Sequence, residues 1–125
     1  MSLQGYSAEV LELLATAPGA GRPDGVGWVS GEAREPLTAT HVRFHLQASA
    51  GRIAAARYEV RGCPHTIALA ALAAAWLPGR APTEVVLDMR ALAARLQAPI
   101  GKLGRFLVVQ DAIGAAALQL AGRPA

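Results

Sequence analysis

The chain has 125 residues, of which 53% are apolar, and a formal net charge of +3. That length predicts one domain over residues 1–125, large enough to bury a core without disulfide staples. Its single cysteine, Cys63, excludes an internal disulfide, and the opening Met1-Ser2-Leu3-Gln4-Gly5 lacks the basic-then-apolar pattern of a secretion signal, so a cytoplasmic location is expected. The twelve basic residues, eleven Arg plus Lys102, are scattered singly among only six aromatic residues, which argues against nucleic-acid binding. The richness in Ala, Gly, Arg and Pro points to a bacterial genome.

Ser7 is placed to cap a first helix in which Val10, Leu13 and Leu14 share a face, ended by Pro18-Gly19. Gly19 to Gly31 reads as a Gly/Pro-rich loop with at most one short strand, anchored by Trp28. Val42, Phe44 and Leu46 then alternate with His41, Arg43, His45 and Gln47, the period of two that sends one face to the core and the other to water. After a turn at Ala48–Arg52, Ala56, Tyr58 and Val60 alternate with Arg57, Glu59 and Arg61, so the two strands are expected to form an antiparallel hairpin.

Pro64 suits the first position of a helix that is apolar nearly all round until Pro78-Gly79. Its most apolar stretch, Ile67 to Leu77, is too short to cross a bilayer, which takes about 20 residues, and predicts a buried helix with no membrane partner. Asp88 is placed to cap a helix with Met89, Leu92 and Leu96 on one face, ended by Pro99. Phe106, Val109, Ile113 and Leu120 mark a last helix. Grouped strands and grouped helices predict an α+β fold, with a small antiparallel sheet of about three strands covered on one face by helices.

Cys63 sits where the strand ends and the helix begins. Two readings of it are open. The unpaired N–H groups of a helix start stabilise a thiolate, the form that attacks sulfur or binds metal; a lone cysteine in an apolar chain is also often an inert core residue. His65, two residues on, is a candidate acid/base group or weak ligand, yet a Cys–His pair falls short of the four ligands of a closed metal site. His41 and His45 stand roughly 13 Å apart on one strand face at about 3.3 Å per residue, too far to share a metal, and read as solvent-facing. Asp24, Asp88 and Asp111 are isolated, and no nucleophile elbow, phosphate loop, dinucleotide fingerprint or paired-cysteine motif is present. No enzyme class is therefore indicated beyond thiol chemistry at Cys63.

In order of elements the chain resembles the IscU family of iron-sulfur cluster assembly scaffolds, found also as the N-terminal domain of NifU. Tyr6-Ser7 with Val10 is similar to the family's opening helix, and Gly51, Ile53 and Ala56-Arg57-Tyr58 to its hairpin. Gly62-Cys63, Ile67-Ala68, Trp76 and Gly79-Arg80 resemble its Gly-Cys-helix-Trp block. Pro99 to Lys102 is similar to the segment by which such scaffolds engage a chaperone, and Gln110-Asp111-Ala112-Ile113 to their Glu-Asp-Ala-Ile ending; the likeness spans about residues 5 to 120. It implies cluster assembly, iron or an iron-sulfur cluster as cargo, and a cysteine desulfurase or assembly chaperone as partner.

The ligand positions depart from the family pattern. Where the family carries Cys-Gly-Asp, this chain has Leu37-Thr38-Ala39, and in place of His-Cys it has Gly104-Arg105. Only Cys63 remains of the ligand set, and a cluster usually takes four protein ligands. One thiol can accept, hold or pass sulfur, as in the similar SufE-type acceptors, which also carry Gly-Cys at this junction. The resemblance implies that the two loops approach one another, which would set Arg105 beside Cys63 as a thiolate stabiliser. The expected function is thus a scaffold-like sulfur acceptor or persulfide carrier; the alternatives are a binding or regulatory module docking on a desulfurase or chaperone, and a thiol enzyme unrelated to clusters.

Overall fold

A computed structural model describes residues 5–122. The elements run α1 (Ala8–Thr16), β1 (Trp28–Glu35), a 3-10 turn (Pro36–Thr38), β2 (Thr40–Ser49), β3 (Arg52–Arg61), α2 (Pro64–Trp76), α3 (Met89–Arg95), a second 3-10 turn (Ile100–Lys102) and α4 (Leu103–Ala121). The three strands form an antiparallel sheet in the order β1-β2-β3, as the α+β reading requires. Phe44 opposes Tyr58 and Val42 opposes Val60, so the alternating apolar residues of both hairpin strands meet on one face. Across that face lie α4, over β1 and β2, and α2, over β3. Val42, Phe44, Leu46, Leu69, Phe106, Val109 and Ile113 are buried between the layers.

The caps act where the sequence places them. The Ser7 side chain accepts the Val10 N–H at 3.2 Å, and its hydroxyl donates to the Leu96 carbonyl, joining α1 to the end of α3. The Asp88 carboxylate accepts the Ala91 N–H at 3.1 Å. Glu9 and Arg95 form a two-pronged ion pair across the same helices. Trp28 donates its indole N–H to the Asp24 carbonyl, closing the loop it was expected to anchor.

Four expectations are corrected. The region before Gly31 was expected to carry at most one short strand, whereas β1 spans eight residues and runs through Gly31 to Glu35. Gly31 is no turn residue: α4 crosses β1 so closely that a Cβ there would overlap the Ala116 amide and the Ala112 carbonyl. Ahead of β1, Gly19 to Gly21 runs along the outer edge of β3, exchanging Tyr58 N–H to Gly19 carbonyl (2.9 Å) and Gly21 N–H to Tyr58 carbonyl (2.8 Å). α3 ends at Arg95 instead of continuing to Pro99; Gln97 turns left-handed (φ 54°) and the Ala98 N–H caps the Ala93 carbonyl. His45, expected to face solvent, is buried, because Ser30 and Glu59 on the neighbouring strands close over it.

The most membrane-like segment is 100–121, and not Ile67 to Leu77. It is long and apolar enough to span a bilayer by composition. Here its apolar face, including Phe106, Val109, Ile113 and Ala116, is spent on the sheet, as in a core helix.

Candidate functional site

Cys63 is the N-cap of α2. Its backbone is extended (φ −75°, ψ 162°), and Pro64, with φ fixed and no N–H to lose, starts the helix behind it. The residue is intermediate in exposure and lies outside the buried core cluster. The Thr66 hydroxyl lies 3.2 Å from the sulfur. Thr66 is itself fully buried and packs with Thr40 about the position of Gly62, while Thr40 shares a hydroxyl contact of 2.7 Å with Thr38. The β1–β2 turn thus flanks the thiol on one side. The start of α4, carrying Arg105 in its first turn, flanks it on another.

These neighbours decide the charge of the sulfur. Burial alone would push the thiol up, since it penalises the anion. The Thr66 hydroxyl, the Thr66 amide, the Arg105 guanidinium and the Lys102 ammonium outweigh it, in that order, and bring the pKa from the ordinary 9.0 down to about 7. The Thr66 amide acts as a donor facing the sulfur, as an N–H of the first turn of a helix does toward an anion. At neutral pH about half of the protein therefore carries a thiolate.

Of the residues singled out by sequence, the fold brings Cys63 and Arg105 together. His65 takes another course: it is buried, and neither ring nitrogen has a hydrogen-bond partner among the described residues. Its ring packs on Tyr6, centroids 4.8 Å apart, and the Lys102 ammonium lies 5.7 Å from the Tyr6 ring centroid. Burial, and then Lys102, lower the His65 pKa, so the imidazole is held neutral. His41 and His45 lie apart on the open sheet face against separate carboxylates, His41 at 3.1 Å from Glu32 and His45 at 2.9 Å from Glu59. Sequence reasoning gave no role to Thr66 and gave Lys102 none at the thiol, placing it only in the segment that resembles a chaperone-engaging one. The three-residue step from an N-cap to a hydroxyl residue was the available signal for Thr66, because that spacing lets an N-cap and the third helical residue meet.

A sheet-and-helix layer with one thiol at a helix start, set between a turn and a basic helix end, defines an α+β protein of single-thiol type. The chain belongs to the NifU-like N terminal domain family, whose sequence profile matches residues 5–125. This is a family of iron-sulfur cluster assembly scaffolds. Among solved structures it is similar to a putative iron-sulfur cluster assembly scaffold protein for the SUF system from Fervidobacterium islandicum AW-1. That match has a TM-score of 0.70 at 14% identity, over 90% of this chain and 96% of the other. It is also similar to the N-terminal part of a nitrogen-fixing NifU-like protein from Brucella abortus, with a TM-score of 0.69 at 17% identity, over 94% and 95% of the two chains. No curated protein sequence matches.

The residues around Cys63 do not fit a cluster as family members would hold it. Among the described residues no three His, Cys, Asp or Glu side chains gather into a metal-binding group. The turn beside the sulfur offers Leu37, Thr38 and Ala39, with Leu37 exposed, and the α4 side offers a guanidinium, a cation that repels iron.

Proposed function

We propose that this protein serves iron-sulfur cluster assembly by accepting and carrying one sulfur atom on Cys63, with a cysteine desulfurase as donor in the cytoplasm. The observation that carries this reading is a half-buried Cys63 at the start of α2 with the Thr66 hydroxyl 3.2 Å from its sulfur; with Arg105 and Lys102 nearby, this setting brings the thiol down to about 7. The Cys63 thiolate attacks the terminal sulfur of a donor persulfide, R–S–SH. The donor S–S bond breaks, R–S⁻ leaves and takes a proton from water, and Cys63–S–SH forms with no net oxidation. Arg105 and Lys102 then stabilise the persulfide anion as they do the thiolate. His65, buried against Tyr6 and favoured in its neutral form, has no part in the transfer.

Support for the carrier over a purely docking module comes from exposure: an inert thiol would be sealed under α2, and this one is not. The test is incubation with a cysteine desulfurase and cysteine, followed by intact-protein mass spectrometry under non-reducing conditions. A gain of one sulfur atom, lost with dithiothreitol and absent from Cys63→Ser, is expected. An unmodified Cys63 that nonetheless co-purifies with the desulfurase would replace the carrier by the docking module. Anaerobic reconstitution with iron and sulfide is expected to leave no stable cluster absorbance; a stoichiometric cluster would restore a conventional scaffold role.

A further inference from the structure

The face of the sheet turned away from the helices carries an excess of positive charge that the fold itself does not use. Strand register sets the pattern: Arg34, His41 and Arg61 lie side by side across the three strands, and the next row is Glu32, Arg43 and Glu59. Arg22, from the segment that runs along the outer edge of β3 ahead of β1, closes one side of a cleft of about 740 Å³ that takes in Arg34, His41, Arg43, Glu59 and Arg61 and reaches round that edge to Val60 and Ile67. Two carboxylates serve this whole surface. Glu32 is shared by Arg34 (3.4 Å), His41 (3.1 Å) and Arg43, and Glu59 by Arg22 (3.3 Å) and His45 (2.9 Å). Arg61, exposed in the same row, has no ion-pair partner among the described residues.

We propose that this open face is a docking groove for an acidic segment of a partner protein. Four guanidiniums against two carboxylates leave the groove cationic, and the planar guanidinium fork suits carboxylates in pairs. The cleft is open and spread across the strands, which fits a chain of carboxylates laid over it. Tyr58, buried in the core, is the one aromatic residue along it, so there is no platform for stacking a nucleobase. Cys63 does not itself line the cleft, although Arg61, two residues before it at the end of β3, and Ile67, on α2 after it, both do. Occupancy of the groove does not depend on what Cys63 carries.

The test uses the full chain and a fluorescein-labelled octapeptide of glutamates, with polarisation read at low and high salt. Arg34→Gln combined with Arg61→Gln is compared with Arg52→Gln combined with Arg90→Gln, which removes the same charge away from the groove. The groove pair is expected to weaken binding about tenfold, as the loss of two exposed ion pairs of roughly 0.7 kcal/mol each would do, and the control pair to leave it near wild type. Equal weakening in both pairs would reduce the effect to net charge and overturn the proposal. So would tighter binding of tripolyphosphate at the same arginines, which would make the ligand a small oxyanion. Amide shifts in a nitrogen-15 spectrum of the wild-type chain supply a check that needs no variant: peptide titration is expected to move Arg34, Arg43 and Arg61, and shifts confined elsewhere would also refute the groove.

Discussion

Replacing Thr66 by Val removes the hydroxyl that lies 3.2 Å from the Cys63 sulfur while keeping the shape of a fully buried side chain. A hydrogen bond to a charged group is worth about 1.5–3 kcal/mol, or about 1–2 pKa units at 1.36 kcal/mol each. The thiol is therefore expected to rise from about 7 to about 8.5. At pH 7 the thiolate fraction then falls from about one half to about 3%, a loss of roughly 16-fold. The more basic thiolate is intrinsically more nucleophilic, by about 5-fold over such a rise, so the net rate of alkylation by iodoacetamide at pH 7 should fall only about 3-fold. Well above both pKa values the variant should react faster than wild type. The assay is the pH profile of alkylation, with the thiolate absorbance at 240 nm as an approximate independent readout of the same titration. A Thr66→Val profile with its midpoint still near 7 would refute the reasoning and leave Arg105, Lys102 and the helix start as sufficient causes.

Arg105→Ala should also raise the Cys63 pKa, by less than Thr66→Val, because the Thr66 hydroxyl outranks Arg105 among the causes that lower it; ultraviolet titration ranks the two variants. The Arg43 hydrogen bond and then that of His41 hold Glu32 down at about 2 from 4.5, so its contribution to stability is complete above 4.5 and is lost as the pH falls toward 2. Glu32→Gln should accordingly lower Tm at pH 7 and converge with wild type near pH 2; a constant offset across that range would contradict the shift. His65 is lowered by burial from 6.5, so the fold favours its neutral form, and that preference is complete above 6.5 and lost as the pH falls below it. His65→Phe should remove this acid-side loss and gain about 1 kcal/mol in urea unfolding, since a buried ring with two unpartnered nitrogens is replaced by an apolar one. A fall in persulfide loading of that variant would instead give His65 a chemical role. Gly31→Ala should cost about 3 kcal/mol in urea unfolding by forcing α4 away from β1; a cost below about 1 kcal/mol would show that the helix can slide.

Local rules made much of the fold legible. Alternation at Val42, Phe44 and Leu46, the caps at Ser7 and Asp88, and Pro64 behind Cys63 each act within a few residues, so a single chain displays them before it folds. The same rules misread Gly31 as loop, since a glycine needed for close helix approach looks in sequence like one needed for a turn. They also placed His45 in water, because strand alternation says which face a residue takes and not whether its cross-strand neighbours, here Ser30 and Glu59, will cover it.

That Cys63 is the only cysteine and stands just ahead of Pro64 and an apolar run was determined by the sequence alone, since these are statements about which residue stands where. What the sulfur is at neutral pH was decided by the tertiary structure. Arg105 and Lys102 reach it from α4 and the turn before it, and only folding brings them close enough for their charges to be felt. The cationic face is of the same kind: arginines that are solitary along the chain become neighbours through strand register, because electrostatic energy follows distance in space and takes no account of separation in sequence.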